Sequence, residues 1–151
     1  MRNIQQAFVT LASAWFLIGS NGVLAQETPS AAPAGVKLVE ANAVVDLQKQ
    51  GATLVDTRKA IEFSEATIKG AVSIPYDPEK SAKDANFDAT QDKFNLAKLA
   101  DKNAHIVVFC NSGTCWKSYK AAVVLAKNGY KNVYWYRNGF PDWKARKFPT
   151  E

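Results

Sequence analysis

The run HIVVF at residues 105–109 constrains the fold more than any other stretch of the chain. A half-buried strand alternates apolar and polar side chains, but Ile106, Val107, Val108 and Phe109 put apolar groups on both faces. A strand of that kind needs cover on both sides, as a central strand of a parallel sheet has. Shorter strand-like runs recur around it: VKLV (36–39), ATLVD (52–56), GAVSIP (70–75, closed by Pro75) and NVYWY (132–136). Helical spacing separates them. It predicts helices over 41–50 with Gly51 as the stop, over 59–66, over 91–100, over 118–129 with Ser118 as N-cap and Gly129 as the end, and around 141–145. Residues 76–90 are polar and turn-rich and read as a surface connection. Strands alternating with helices define an α/β protein: a central, mostly parallel five-stranded sheet with helices on both faces.

The chain's 151 residues suit a single domain, and 47% hydrophobic with 22% charged residues excludes wholesale disorder. Residues 1–25 are expected to stand apart from the fold. Arg2 supplies a positive n-region, residues 7–18 an apolar h-region, and Val23-Leu24-Ala25 a small-residue cleavage site. The apolar run falls well short of the roughly 20 residues that span a bilayer. An exported, periplasmic protein free of the membrane after cleavage is expected. Residues 26–35, rich in Ala and Pro, read as a flexible leader, and the domain is expected over 36–151. The formal charge of +5 is spread along the chain without a nucleic-acid motif. That distribution excludes nucleic acid as partner and favours small anions.

In parallel α/β sheets, functional loops lie beyond the C-terminal ends of the strands. Three loops meet that condition: Asp56-Thr57-Arg58, the loop opening at Cys110, and Tyr136-Arg137-Asn138-Gly139. Both cysteines, Cys110 and Cys115, lie in the second. A bridge between residues so close restrains little of an unfolded chain, so a purely structural staple explains them poorly. Asn111, Ser112, Gly113 and Thr114 are small turn-formers whose N–H groups can curl round an anion, with Gly113 expected at positive φ. A helix N-terminus expected about eight residues after Cys110 favours a thiolate there.

Four chemistries compete for this loop. A phosphatase loop needs an arginine where Trp116 stands. A thioredoxin-like site has two residues between its cysteines, not four. A metal site needs more ligands than two thiols, and His105, the only histidine, reads as a solvated residue at a strand boundary. A persulfide carrier needs one nucleophilic cysteine cradled by N–H groups, and the loop offers that. Nothing in the sequence requires a cofactor.

Residues 54–75 (LVDTRKAIEFSEATIKGAVSIP), 107–115 (VVFCNSGTC) and 129–143 (GYKNVYWYRNGFPDW) resemble, in that order and spacing, the signatures of single-domain rhodanese-like proteins, a sulfurtransferase-type family. The resemblance covers about 36–149. It implies a catalytic Cys110 that takes sulfur from an anionic donor such as thiosulfate and passes it to a thiol or cyanide. Asp56 and Arg58 match the first motif, where the structural alternative is an aspartate capping the turn and an arginine paired with Glu62. Trp143 is expected in the core. The chain also departs from the family pattern. Thr67 stands near the usual histidine, the loop counts about two residues longer, and its arginine is missing, with Lys117 the replacement considered. Cys115 is spaced for a disulfide with Cys110 as a resolving thiol. Trp116 shields the pair, forms a wall for a partner, or packs. The partners implied are a small anionic sulfur donor and a thiol acceptor or redox protein. The alternative function is a non-catalytic redox-sensing or docking module built on the Cys110–Cys115 disulfide.

Overall fold

The computed structural model describes residues 25–151, so the expected n-region and h-region lie outside the described residues. Five strands, β1 (Val36–Leu38), β2 (Thr53–Asp56), β3 (Val72–Ser73), β4 (His105–Phe109) and β5 (Asn132–Tyr136), form one sheet in the order β1-β5-β4-β2-β3. Every pairing is parallel. β4 is central, as its two-sided apolar pattern requires, with Val108 set between Val55 of β2 and Trp135 of β5.

Among the described residues four helices cover the sheet: α1 (Ala41–Lys49), α2 (Ala60–Glu65), α3 (Trp116–Lys127) and α4 (Gly139–Ala145). The strand period of two divides the core into two layers. Val55, Ile106, Val108, Val133 and Trp135 pack with Tyr119, Ala122 and Leu125 of α3. Leu54, Val107, Phe109, Tyr134 and Tyr136 pack with Ala41 and Val44 of α1 and Phe140 and Trp143 of α4. Each fully buried aliphatic or Phe side chain contributes about 1.5–3 kcal/mol. Trp143 is buried in the core as expected.

Four local expectations are corrected. Over 91–100 there is no α-helix, only 3-10 turns at Ala89–Gln91 and Leu96–Lys98. Asp88 and Asn95 take the N–H groups of Thr90 and Ala97 onto their own side chains and so compete with helical bonding. β3 shortens to two residues, although Ile74 and Tyr76 still donate their N–H groups to Asp56 and Thr57. α3 begins at Trp116, so Ser118 is not its N-cap. Ser118 is buried and accepts the Trp135 indole N–H at 3.0 Å. The helix therefore starts six positions after Cys110, and the loop is not extended.

Residues 26–35 also depart from the flexible leader expected of them. Thr28 is 3% exposed, and its N–H and hydroxyl both donate to the Gly113 carbonyl, at 2.8 and 2.6 Å. The segment is a strap fastened across the Cys110 loop, because Ala/Pro-rich backbone has no helix or sheet partners of its own and finds them there.

Residues 76–92 are anchored from below. The ammonium of Lys120, fully buried on α3, lies 2.9 Å from Glu79 and 3.9 Å from Asp92, and it donates to the backbone and hydroxyl oxygens of Ser81. Asp92 also accepts from the Tyr76 hydroxyl and from the N–H groups of Lys80 and Ser81. Burial pushes the Asp92 carboxyl up, but the hydrogen bonds from Ser81, Tyr76 and Lys80 outweigh it and hold it below the usual carboxylate range. Burial, with the Asp92 partner, pushes the Tyr76 hydroxyl far up.

Candidate active site at the end of the central strand

Cys110 follows directly from β4 and is 1% exposed, while Cys115 is half-buried at the N-cap position of α3. The two form a disulfide across a Cα–Cα distance of 6.2 Å. The turn between them is closed by the Cys115 N–H on the Ser112 carbonyl at 3.0 Å and by a 2.9 Å hydrogen bond between the hydroxyls of Ser112 and Thr114.

All three strand-end loops converge here, because every strand runs in the same direction. Thr57 donates its N–H and hydroxyl to the Phe109 carbonyl, at 3.1 and 2.8 Å. Phe140 donates its N–H to the Cys110 carbonyl at 2.8 Å. Gly139 has φ +65°, and a Cβ there would collide with that same carbonyl, so the β5–α4 turn closes against Cys110 only with glycine.

Gly113 does not adopt the positive φ expected of it. Its need for glycine is a close approach: a Cβ would lie 2.7 Å from the guanidinium carbon of Arg137. The Arg137 guanidinium lies over Gly113 and is gripped by the strap. Its Nε donates to the Thr28 hydroxyl at 3.1 Å and the Pro29 carbonyl at 3.2 Å. Its Nη2 donates to the Thr28 carbonyl at 3.1 Å and the Glu27 carboxylate at 3.2 Å.

Of the candidate residues, Asn111, Ser112, Gly113 and Thr114 form the loop between the cysteines, and the Asn111 amide donates to Glu62 of α2 at 2.7 Å. Asp56 and Arg58 lie buried beneath it as a tight ion pair. Arg58 thus pairs with Asp56, not Glu62, and also donates to the Ala66 carbonyl and stacks 4.3 Å over Phe140. Asp56 caps the turn by accepting the Arg58 N–H, and it takes the Thr67 hydroxyl at 2.8 Å. Lys117 is turned toward the segment after β3, with its ammonium 2.7 Å from the Tyr76 carbonyl and near Asp77 and Glu79. Trp116 is buried edge-on against Tyr119 and donates its indole N–H to Gln26 of the strap at 2.8 Å. His105 is exposed at the far end of β4 from the loop, beside the Tyr134 hydroxyl.

Sequence reasoning named Arg137 and Gly139 only as members of the third strand-end loop and Glu62 only as a partner for Arg58, and it missed the strap residues Gln26 and Thr28. Arg137 and Gly139 carried a signal, since both lie in the third strand-end loop. A cleft of about 560 Å³ opens beside the loop, lined by Arg58, Glu62, Asn111, Phe140 and Lys144. A larger one, about 700 Å³, lies among Thr53, Ile106 and the 98–104 segment, away from both cysteines.

A parallel α/β sheet with a cysteine at the end of its central strand and a curled loop running into a helix defines a class that comparison with known proteins makes specific. Residues 40–146 match the rhodanese-like domain, and the chain belongs to that family, a sulfurtransferase-type domain. Thiosulfate sulfurtransferase GlpE of Haemophilus influenzae is 31% identical over 106 residues, covering 70% of this chain and 86% of that protein. Rhodanese-like domain-containing protein 17 of Arabidopsis thaliana is 24% identical over 133 residues, 85% of this chain and 81% of that protein. Among solved structures, the BH2092 protein of Bacillus halodurans shares the fold with a TM-score of 0.58 at 24% identity, over 76% of each chain.

Proposed function

We propose that this protein is an exported sulfurtransferase that moves sulfane sulfur from a small anionic donor of thiosulfate or polysulfide type to a thiol or cyanide through a persulfide on Cys110. The observation that carries this reading is the Cys110–Cys115 pair, joined in one loop between the buried central strand and the N-terminus of α3. The curated relatives named thiosulfate sulfurtransferase support the choice of donor. The leader at 1–25 supports a periplasmic location.

The reduced Cys110 thiolate attacks the outer sulfur of thiosulfate, the donor's S–S bond breaks, and sulfite leaves with the electron pair. An acceptor thiolate or cyanide then takes the outer sulfur of the persulfide and releases the Cys110 thiolate. Without an acceptor, the Cys115 thiolate attacks Cys110 Sγ and expels hydrosulfide, which leaves the disulfide. An external dithiol restores both thiols. The disulfide also favours a second reading, a redox-sensing or docking module whose partner reads the oxidised loop.

Intact-protein mass spectrometry separates the two. The chain is reduced, freed of reductant and exposed to thiosulfate or polysulfide. Gain of one sulfur that cyanide removes and that Cys110→Ser abolishes is expected, with Cys115→Ser sparing or raising the uptake. Loss of two hydrogens by the native chain, together with no sulfur gain by Cys115→Ser, which has no thiol to resolve a persulfide, would transfer the assignment to the redox module. Equal loss of uptake in both mutants would refute a nucleophile with a companion.

A further inference from the structure

We infer that Arg137 is the anion-binding group of the Cys110 loop and that the strap carboxylate of Glu27 occupies its place as an internal stand-in for the donor. The ligand class, a small sulfur oxyanion, rests on the sulfurtransferase reading. The site itself rests on three observations of the structure.

The loop between the cysteines contains no cationic side chain, and Lys117, the nearest along the chain, is committed to the 76–79 segment. Arg137 brings a guanidinium to the loop from the neighbouring strand end, close enough that only glycine fits beneath it at 113. Its Nε and Nη2 are hydrogen-bonded to the strap, whereas Nη1, also against Gly113, has no hydrogen-bond partner among the described residues. A guanidinium with its planar fork is suited to an oxyanion. One anion is already there: Glu27 Oε2 lies 3.2 Å from Nη2, on a side chain 73% exposed. An ion pair so open to water is weak and readily exchanged for a doubly charged ligand. The neutral strap contacts from Thr28 and Pro29 keep the guanidinium over the loop while that exchange takes place.

If Arg137 only fastens the strap, removing either partner of the Arg137–Glu27 pair has the same consequence. If Arg137 binds the donor, the two substitutions act in opposite directions. Thiosulfate binding is measured by calorimetry on the full chain carrying Cys110→Ser, which forms no persulfide, so binding is read without turnover. Adding Glu27→Gln removes the competing carboxylate and tightens thiosulfate binding about two- to fivefold. Adding Arg137→Gln weakens it about tenfold or more, and Arg137→Lys falls between. The half-saturating thiosulfate concentration for sulfur uptake by the reduced native chain shifts in the same opposite directions.

Absence of thiosulfate binding, or a parallel response to the two substitutions, overturns the assignment. Sulfur uptake that ignores residues 27 and 137 removes the anion site and leaves the transfer reading standing. Opposite shifts in binding without any uptake by the native chain do the reverse.

Discussion

Two glycines beside Cys110 meet the same substitution with unequal consequences, because their obstacles differ in kind. At Gly139 the obstacle is backbone: alanine would sit at φ +65° and strike the Cys110 carbonyl, which accepts the Phe140 N–H and cannot withdraw without opening the turn. Gly139→Ala is expected to cost about 3 kcal/mol or more, read as a fall in the urea midpoint. At Gly113 the obstacle is the far end of the Arg137 side chain, which rotates away. Gly113→Ala is expected to cost under about 1 kcal/mol of global stability. It displaces the guanidinium and frees the strap, read as faster amide exchange at Thr28, whose N–H is bonded to Gly113. Comparable stability losses at the two positions would contradict this account.

Among the elements, α3 does more than cover the sheet, since Lys120 ties residues 76–92 to its buried face. Asp92 closes that clamp, and its depressed folded pKa fixes the sign of a pH effect. The contribution is fully present above the unfolded carboxylate value of about 3.9 and is lost as pH falls through the lower folded value. Asp92→Asn is therefore expected to destabilise the protein at pH 7 and to flatten the acid limb of its stability curve. Urea midpoints between pH 2.5 and 7 check this, and an unchanged acid slope would refute it. The same side chains explain where the sequence was legible. β2, β4 and β5 announce themselves through local apolar runs that need no distant partner. Residues 91–100 carry helical spacing, yet Asp88 and Asn95 bond the backbone N–H groups two residues on and Asp92 those of Lys80 and Ser81, two local turns and one tertiary anchor that periodicity cannot express. α3 was visible but misplaced by one half-turn, because Ser118, a good N-cap by type, is taken up by Trp135.

At the scale of the whole molecule, one strand direction gathers the ends of β2, β4 and β5 on a single rim, and the strap completes it. The cysteines were legible as a site because they are neighbours in sequence. The Arg137–Thr28 contact spans 109 positions and leaves no local trace. The strap also yields an optical test, since the indole N–H of Trp116 is bonded to Gln26 of the strap, whereas those of Trp135 and Trp143 are bonded to Ser118 and Pro149. A chain beginning at residue 36 is expected to show greater acrylamide quenching of tryptophan fluorescence than one beginning at residue 26. Equal quenching would mean that the strap does not shelter the indole.

The span by which this chain is matched to its family begins at residue 40, and residues 26–29 lie before it. The part of the chain that meets Arg137 and the cysteine loop thus lies outside that matched span. Two members with superimposable cores can differ in the ligands they admit through a few residues of tail, and a survey confined to the shared core would overlook where their preferences diverge.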